Sequence, residues 1–225
     1  MQRPLLLGHR GVRGLKSIPE NTVAAFDRSL EAGCDGFEFD IRLTASDRIV
    51  VCHDAKVQGI TVSAADAAQL RHLPQLQQVL RRYRRCGFLD IEIKVAGMEA
   101  KVLTALREYP MERDYVVSSF LPNVVLALKA RSATVPVGII CRTPSQLVAW
   151  RKLPADYLIV HESLVTQKLI RFVHSAGRNI FVWTVNNKPS MLRLAGWGVD
   201  AIISDKPRLL GKTLGRTLPP DTDVV

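Results

Sequence analysis

No run of about 18 apolar residues occurs in the 225-residue chain, so it offers no transmembrane helix. The opening Met1–Gly11 segment has only a three-leucine apolar run, too short for the apolar stretch of a signal peptide. Those leucines read as a first strand, and the expected location is the cytoplasm. Cysteine is sparse: Cys34, Cys52, Cys86 and Cys141 show no CxxC spacing, which argues against a zinc site or a disulfide framework and suits a reduced compartment. No helix-turn-helix, zinc-finger or aromatic-rich RNA-binding pattern is present, so nucleic acid is a disfavoured partner. Linkers and low-complexity tracts are also lacking, which favours one domain.

Acidic residues are the minority charge: 21 Asp and Glu face 31 Lys and Arg, for a formal net charge of +10. A basic excess concentrates anions, so the charge admits phosphorylated metabolites, an anionic membrane surface or nucleic acid as partners. The densest cluster, Arg81, Arg82, Arg84 and Arg85, reads as a solvated helix end. Nothing in the sequence sets an oligomeric state.

Short β-rich runs alternate with amphipathic helical runs. Strands are expected at 5–8, 36–43, 88–95, 115–120, 135–141, 157–160, 179–185 and 201–204, with Ile49 to His53 continuing the second unit or forming a short run of its own. Helices are expected at 21–32, 76–85, 99–109, 122–130, 145–152, 166–176, 189–197 and 209–214. About eight βα units imply an α/β fold, a single (β/α)8 TIM barrel over 1–216, with 217–225 as a loose tail. An open doubly wound sheet usually has fewer strands.

The run Gly36-Phe37-Glu38-Phe39-Asp40-Ile41 carries chemistry. Strand side chains alternate, so Glu38 and Asp40 share one face and Phe37, Phe39 and Ile41 the other. If the aromatic face packs on helices, the carboxylates point into the barrel, where adjacent anions need a cation, either a metal or a Lys or Arg. In 89–94 the pattern repeats, with Asp90, Glu92 and Lys94 on one face. His9 follows the first strand and His53 follows Ile49 to Cys52, so both are expected at strand ends on the functional face of a barrel.

HRG at 9–11, PENT at 19–22, GFEFDIRLT at 36–44, VVCHD at 50–54, IEIK at 91–94, SSF at 118–120, WTVN at 183–186 and ISDKP at 203–207 occur in this order. Together they resemble the glycerophosphodiester phosphodiesterase family over nearly the whole chain. The resemblance implies a divalent metal on Glu38, Asp40 and Glu92, His9 and His53 as the acid–base pair, and Arg10 and Lys94 as phosphate ligands. It further implies that Glu20 orients the first loop and reaches the site and that Trp183 lines the pocket. An all-carboxylate ligand set favours Mg²⁺ or Ca²⁺, with Mn²⁺ as a further candidate.

Ser118 ends a strand, where it can touch substrate or serve as polar filler. His161 also follows a strand but has no counterpart in the resemblance, so a pocket role is its less favoured reading. His72 and His174 read as surface and Asp205 as structural. Only Ala55 to Leu73 follow the His-Asp pair before the next landmark, so the cap usual in that family is reduced and glycerol specificity is less secure than phosphodiester chemistry. Two other readings are a lipid phosphodiesterase, phospholipase D- or C-like, and a non-catalytic phosphodiester-binding protein.

Overall fold

A computed structural model describes residues 3–66 and 68–216. The expected tail at 217–225 lies outside the described residues. The described residues form eleven strands: β1 (Leu5–Gly8), β2 (Gly36–Leu43), β3 (Ile49–Val51), β4 (Lys56–Val57), β5 (Ile60–Thr61), β6 (Phe88–Ile93), β7 (Tyr115–Ser119), β8 (Val137–Cys141), β9 (Tyr157–His161), β10 (Asn179–Trp183) and β11 (Ala201–Ser204). The helices are α1 (Val23–Glu31), α2 (Leu76–Tyr83), α3 (Glu99–Glu108), α4 (Pro122–Arg131), α5 (Pro144–Ala149), α6 (Gln167–Ser175), α7 (Lys188–Trp197) and α8 (Pro207–Thr213). Eight strands pair in parallel in the order β1-β11-β10-β9-β8-β7-β6-β2, and β2 returns to β1, which closes a (β/α)8 barrel.

The barrel rests on strict alternation. Leu7, Phe88, Val116, Ile140, Ile159, Phe181, Ala201 and Ile203 form one apolar cluster inside the barrel. Their strand neighbours, such as Leu6, Phe39, Ile91, Val117, Ile139, Leu158, Val182 and Ile202, belong to a second and larger cluster that includes helical residues Phe26, Val79, Val102, Val124, Ile170 and Leu194. On β2 the outward face is aromatic: Phe37 stacks on Phe26 of α1 at 4.3 Å between ring centroids, and Phe39 lies 5.6 Å from the same ring. That anchoring turns Glu38 and Asp40 inward, and both are buried. Gly36 lets β2 approach β6, since a Cβ there would lie 1.9 Å from the Phe88 carbonyl oxygen.

The run after β2 stays with the second unit as a short strand of its own: β3 runs antiparallel to β2, with Ile41 opposite Val51 and Leu43 opposite Ile49. The Thr44–Arg48 turn reverses the chain. Thr44 N–H donates to the Arg48 carbonyl, Thr44 Oγ1 accepts from Arg48 N–H, and Asp47 takes a left-handed φ of 63°. His53 therefore does not crown a barrel strand. The hairpin lowers it onto the mouth from above. After it, β4 and β5 form a small hairpin over the cluster of Val50, Cys52, Val62, Ala65 and Leu70.

The basic cluster at the end of α2 is largely paired with acids. Arg82 bonds Asp27, and Arg84 and Arg85 both meet Glu112. No described helix is long and apolar enough to cross a membrane.

Candidate active site

The alternation that fills the barrel also builds its mouth. Two residues beyond an inward apolar side chain, the next inward position carries a polar or aromatic group: His9 after Leu7, Arg142 after Ile140, His161 after Ile159, Trp183 after Phe181 and Asp205 after Ile203. Lys94 and Phe120 occupy the corresponding places beyond Glu92 and Ser118. A cavity of about 350 Å³ opens there, lined by His9, Arg10, Arg13, Glu38, His53, Asp90, Glu92, Lys94, Phe120, Arg142, His161 and Trp183 among others. The structure thus brings together His9, His53, Arg10, Lys94, Glu38, Glu92 and Trp183 from the expected set.

Asp40 lies just beneath this lining. One ligand atom from each of Glu38, Asp40 and Glu92 falls within 4.8 Å of the others, and all three residues are buried. Register explains the convergence, because Glu38 lies beside Asp90, and Asp40 beside Glu92, on adjacent strands. Glu38 Oε1 is buried with no hydrogen-bond partner. Asp40 Oδ1 and Glu92 Oε1 also lack one and meet only the Lys94 ammonium as an ion pair, at 3.2 and 2.6 Å.

Burial dominates the electrostatics. It pushes Glu38 well above the usual carboxylate range, helped by the charges of Asp40, Glu92 and Asp90. Burial, and then Asp40, push Glu92 up to about 7 against the pull of Lys94. Asp90 is also raised to about 7 by burial, although Ser118 donates to it at 2.6 Å. For Asp40 burial acts in the same upward direction, but Lys94, Arg10 and the Asn21 amide outweigh it and lower the value. The cluster therefore carries less than its full negative charge unless another cation joins it. Three carboxylates with unsatisfied oxygens suit a hard divalent ion.

The HRG and PENT segments lock around this cluster. Arg10, at φ 53°, donates its backbone N–H to Glu38 at 2.9 Å, and its Nε lies 3.1 Å from Asp40 Oδ2. Glu20 holds Arg10 and Arg13 at 2.5 Å each but does not line the cavity. Asn21, which the sequence reading passed over, donates to Asp40 Oδ2 at 2.8 Å and accepts from the Asp40 backbone N–H at 3.2 Å. Its position inside PENT was the available signal.

His9 Nδ1 lies 2.7 Å from Asp205 Oδ1, and its Nε2 lies 3.7 Å from Glu38 Oε2. Asp205, expected to be structural, thus also contacts His9, and Asn186 donates to its other oxygen at 2.6 Å. His53 is half-buried, with Nδ1 2.7 Å from Asp54, and Arg42 donates to its carbonyl at 2.8 Å. Burial, together with Lys94 and Arg10, lowers the His53 pKa despite Asp54 and Asp40.

Ser118 does not reach the cavity: it is fully buried against Asp90, below the mouth. His161, for which a pocket role was the less favoured reading, lines the cavity and packs edge-on to Trp183 at 5.3 Å. Phe120 meets the same indole at 5.5 Å. His174 is exposed and bonds Asp200, and His72 is exposed beside the β4–β5 hairpin. None of the described residues between Ala55 and Leu73 lines the main cavity.

Comparisons with known proteins agree with the barrel fold. A glycerophosphodiester phosphodiesterase of Caldanaerobacter subterraneus subsp. tengcongensis is 30% identical over 237 residues, covering 92% of this chain and 96% of the relative. That alignment is longer than the chain itself, so the relative carries residues with no counterpart here. Two solved structures share the fold. A glycerophosphodiester phosphodiesterase of Thermotoga maritima has a TM-score of 0.80 at 24% identity, covering 94% of this chain and 99% of that one. A phosphodiesterase of Oleispira antarctica, solved with its product sn-glycerol-3-phosphate, has a TM-score of 0.82 at 21% identity and covers 94% of this chain and 97% of that one. Residues 9–209 match the Glycerophosphoryl diester phosphodiesterase family, and the chain belongs to that family.

Proposed function

We propose that this chain hydrolyses glycerophosphodiesters to glycerol 3-phosphate and an alcohol, using a divalent ion at Glu38, Asp40 and Glu92 and acid–base catalysis by His9 and His53. The observation that carries the reading is the buried three-carboxylate cluster with unsatisfied oxygens at the floor of a cavity edged by two histidines. Membership of the family and the product-bound Oleispira relative support the substrate class. Mg²⁺, Ca²⁺ and Mn²⁺ all suit an oxygen-only ligand set. When bound, such an ion supplies Lewis-acid polarisation of a phosphoryl oxygen.

The protein's own groups do the rest. Arg10 and Lys94 stand at the cluster and can receive phosphoryl oxygens, Arg10 through a planar fork and Lys94 as a point charge. One imidazole removes the proton from the attacking hydroxyl and the other protonates the leaving alkoxide. Asp205 and Asp54 each engage an Nδ1, which leaves Nε2 of either ring to work on substrate. Asn21 keeps Asp40 in place, and Trp183 and Phe120 form an apolar wall beside the leaving arm. Residues 1–216 act as one catalytic barrel. Four free cysteines support a reducing, cytoplasmic setting.

The deciding experiment is hydrolysis of glycerophosphocholine, glycerophosphoethanolamine and lysophospholipid by metal-stripped protein before and after Mg²⁺, Ca²⁺ or Mn²⁺ is returned. Glycerol 3-phosphate should form only with metal. Undiminished turnover by exhaustively stripped protein would refute the metal assignment. Cleavage confined to lysophospholipid would make the chain a lipid phosphodiesterase.

A further inference from the structure

One part of the cavity has no role in the chemistry above. In the closed ring of strands β8 stands four places from β1 in either direction, and β9 stands opposite β2. The ends of β8 and β9 therefore face His9, Arg10 and the carboxylate cluster across the mouth. Arg142 follows β8 and His161 ends β9. The pairing of Cys141 with Val160 makes these two the next neighbours in register, and alternation turns both inward.

Their donors are free. Arg10, Arg13 and Lys94 are all tied to carboxylates, whereas the Arg142 side chain has no ion-pair or hydrogen-bond partner among the described residues. His161 Nδ1 lies 2.8 Å from Ser163 Oγ and accepts from Ser163 N–H at 3.3 Å. The proton of the neutral ring therefore sits on Nε2, which becomes a donor. A guanidinium fork beside an imidazole N–H matches a terminal phosphate, which has three oxygens to offer. The same cavity wall also carries apolar and aromatic side chains, among them Ile140, Ile159, Phe120 and Trp183.

We propose that Arg142 and His161 form a second anion subsite, and that the preferred substrates are phosphodiesters whose leaving arm ends in a phosphate monoester. The proposal rests on the hydrolase reading for which end of the cavity holds the scissile phosphate. It adds the class of the leaving alcohol. Arg142 and His161 are specificity residues and take no part in bond cleavage.

The test is calorimetric binding, at fixed saturating free Mg²⁺, of a short series of α,ω-alkanediol bisphosphates, each against its matching alkyl monophosphate. The best bisphosphate should bind about tenfold or more tighter than its monophosphate, as a charge-assisted contact supplies. Arg142→Gln should shrink that ratio towards one, and His161→Phe, which preserves the ring packed on Trp183, should lower it too. Arg151→Gln removes the same charge from the exposed guanidinium stacked on Phe172 and should leave the ratio intact, which separates the subsite from bulk charge. Equal binding of every pair by the unmodified protein, or a ratio that survives Arg142→Gln, would overturn the proposal.

Hydrolysis of glycerophosphoglycerol with and without a terminal phosphate separates the two readings. Turnover of both with no binding preference sinks the subsite and leaves the hydrolase. A binding preference without turnover of either keeps the subsite and sinks the hydrolase.

Discussion

Replacing Asp205 with asparagine tests whether this residue sets the state of His9. Asp205 Oδ1 sits 2.7 Å from His9 Nδ1, and the His9 side chain is only 10% exposed. Burial alone would raise the Asp205 pKa, but the His9 hydrogen bond and charge, with help from Asn186 and Arg13, hold it down at about 2. Against an ordinary value near 4, that shift corresponds to about 2 kcal/mol in favour of the folded carboxylate. The contribution is present above the unfolded pKa and is lost as pH falls through the folded one. Asp205→Asn should therefore be less stable by about 2 kcal/mol near pH 6, and the gap should narrow between about pH 4 and pH 2. The catalytic effect is separate. An amide nitrogen turned towards Nδ1 favours the opposite tautomer, and even an accepting amide oxygen forfeits a charged hydrogen bond. A loss of about 1.5–3 kcal/mol in the transition state lowers kcat by roughly 10- to 150-fold. Hydrolysis of glycerophosphoglycerol followed across pH, with calorimetric melting of the same samples, reads both effects. A lowered Tm with kcat within about twofold of the parent would show that Asp205 only fastens the loop after β11.

His9→Ala and His53→Ala should each retain a parent-like circular dichroism spectrum and lose about 10²- to 10⁴-fold in kcat; near-parent rates in either variant would remove that residue from the chemistry. Metal-free protein should become less stable as pH rises between about 4 and 7, because Glu92 and Asp90, at about 7, keep protons that the unfolded chain has released. Mg²⁺ affinity, measured by titration calorimetry, should rise over the same window as those protons cease to compete, and a flat profile would contradict the ligand set. Gly36→Ala should lower Tm sharply, since its Cβ meets Phe88 backbone at 1.9 Å; an unchanged Tm would show that β2 and β6 can separate. Among glycerophosphodiesters with uncharged head alcohols, kcat/KM should vary by no more than about a hundredfold, because no described residue between Ala55 and Leu73 lines the cavity; a spread of about 10⁴-fold would mean that another loop closes over the alcohol.

Much of this architecture was legible because one rule operates throughout. Period-two alternation in GFEFDI and in the 89–94 run placed Glu38, Asp40, Asp90, Glu92 and Lys94 on one face before any contact was known, and the barrel places all five inside. The helices were legible for a similar reason, since their apolar period matches a single buried face, as with Leu76, Val79, Leu80 and Tyr83 of α2. Strand direction was less accessible. Ile49 to Cys52 has the composition of any buried strand, and only the Ala45-Ser46-Asp47 turn distinguishes a descending return from a new parallel unit.

Contacts between distant segments were hidden for a different reason. Nothing local to Asp205 announces His9, which lies 196 residues away, because the contact exists only once β11 closes against β1. Asn21 meets Asp40 through a left-handed turn whose path depends on Arg10 and Glu20. Arg142 and His161 become neighbours only through the register of β8 with β9. Yet the inward parity of the barrel could have nominated all but Asn21. Each stands two positions beyond a residue that alternation already assigns to the interior, where a polar side chain must face the mouth rather than the helices. Applied one residue past the apparent end of every strand, the rule that identifies the core also identifies the rim, so barrel closure and site assembly are consequences of the same side-chain alternation.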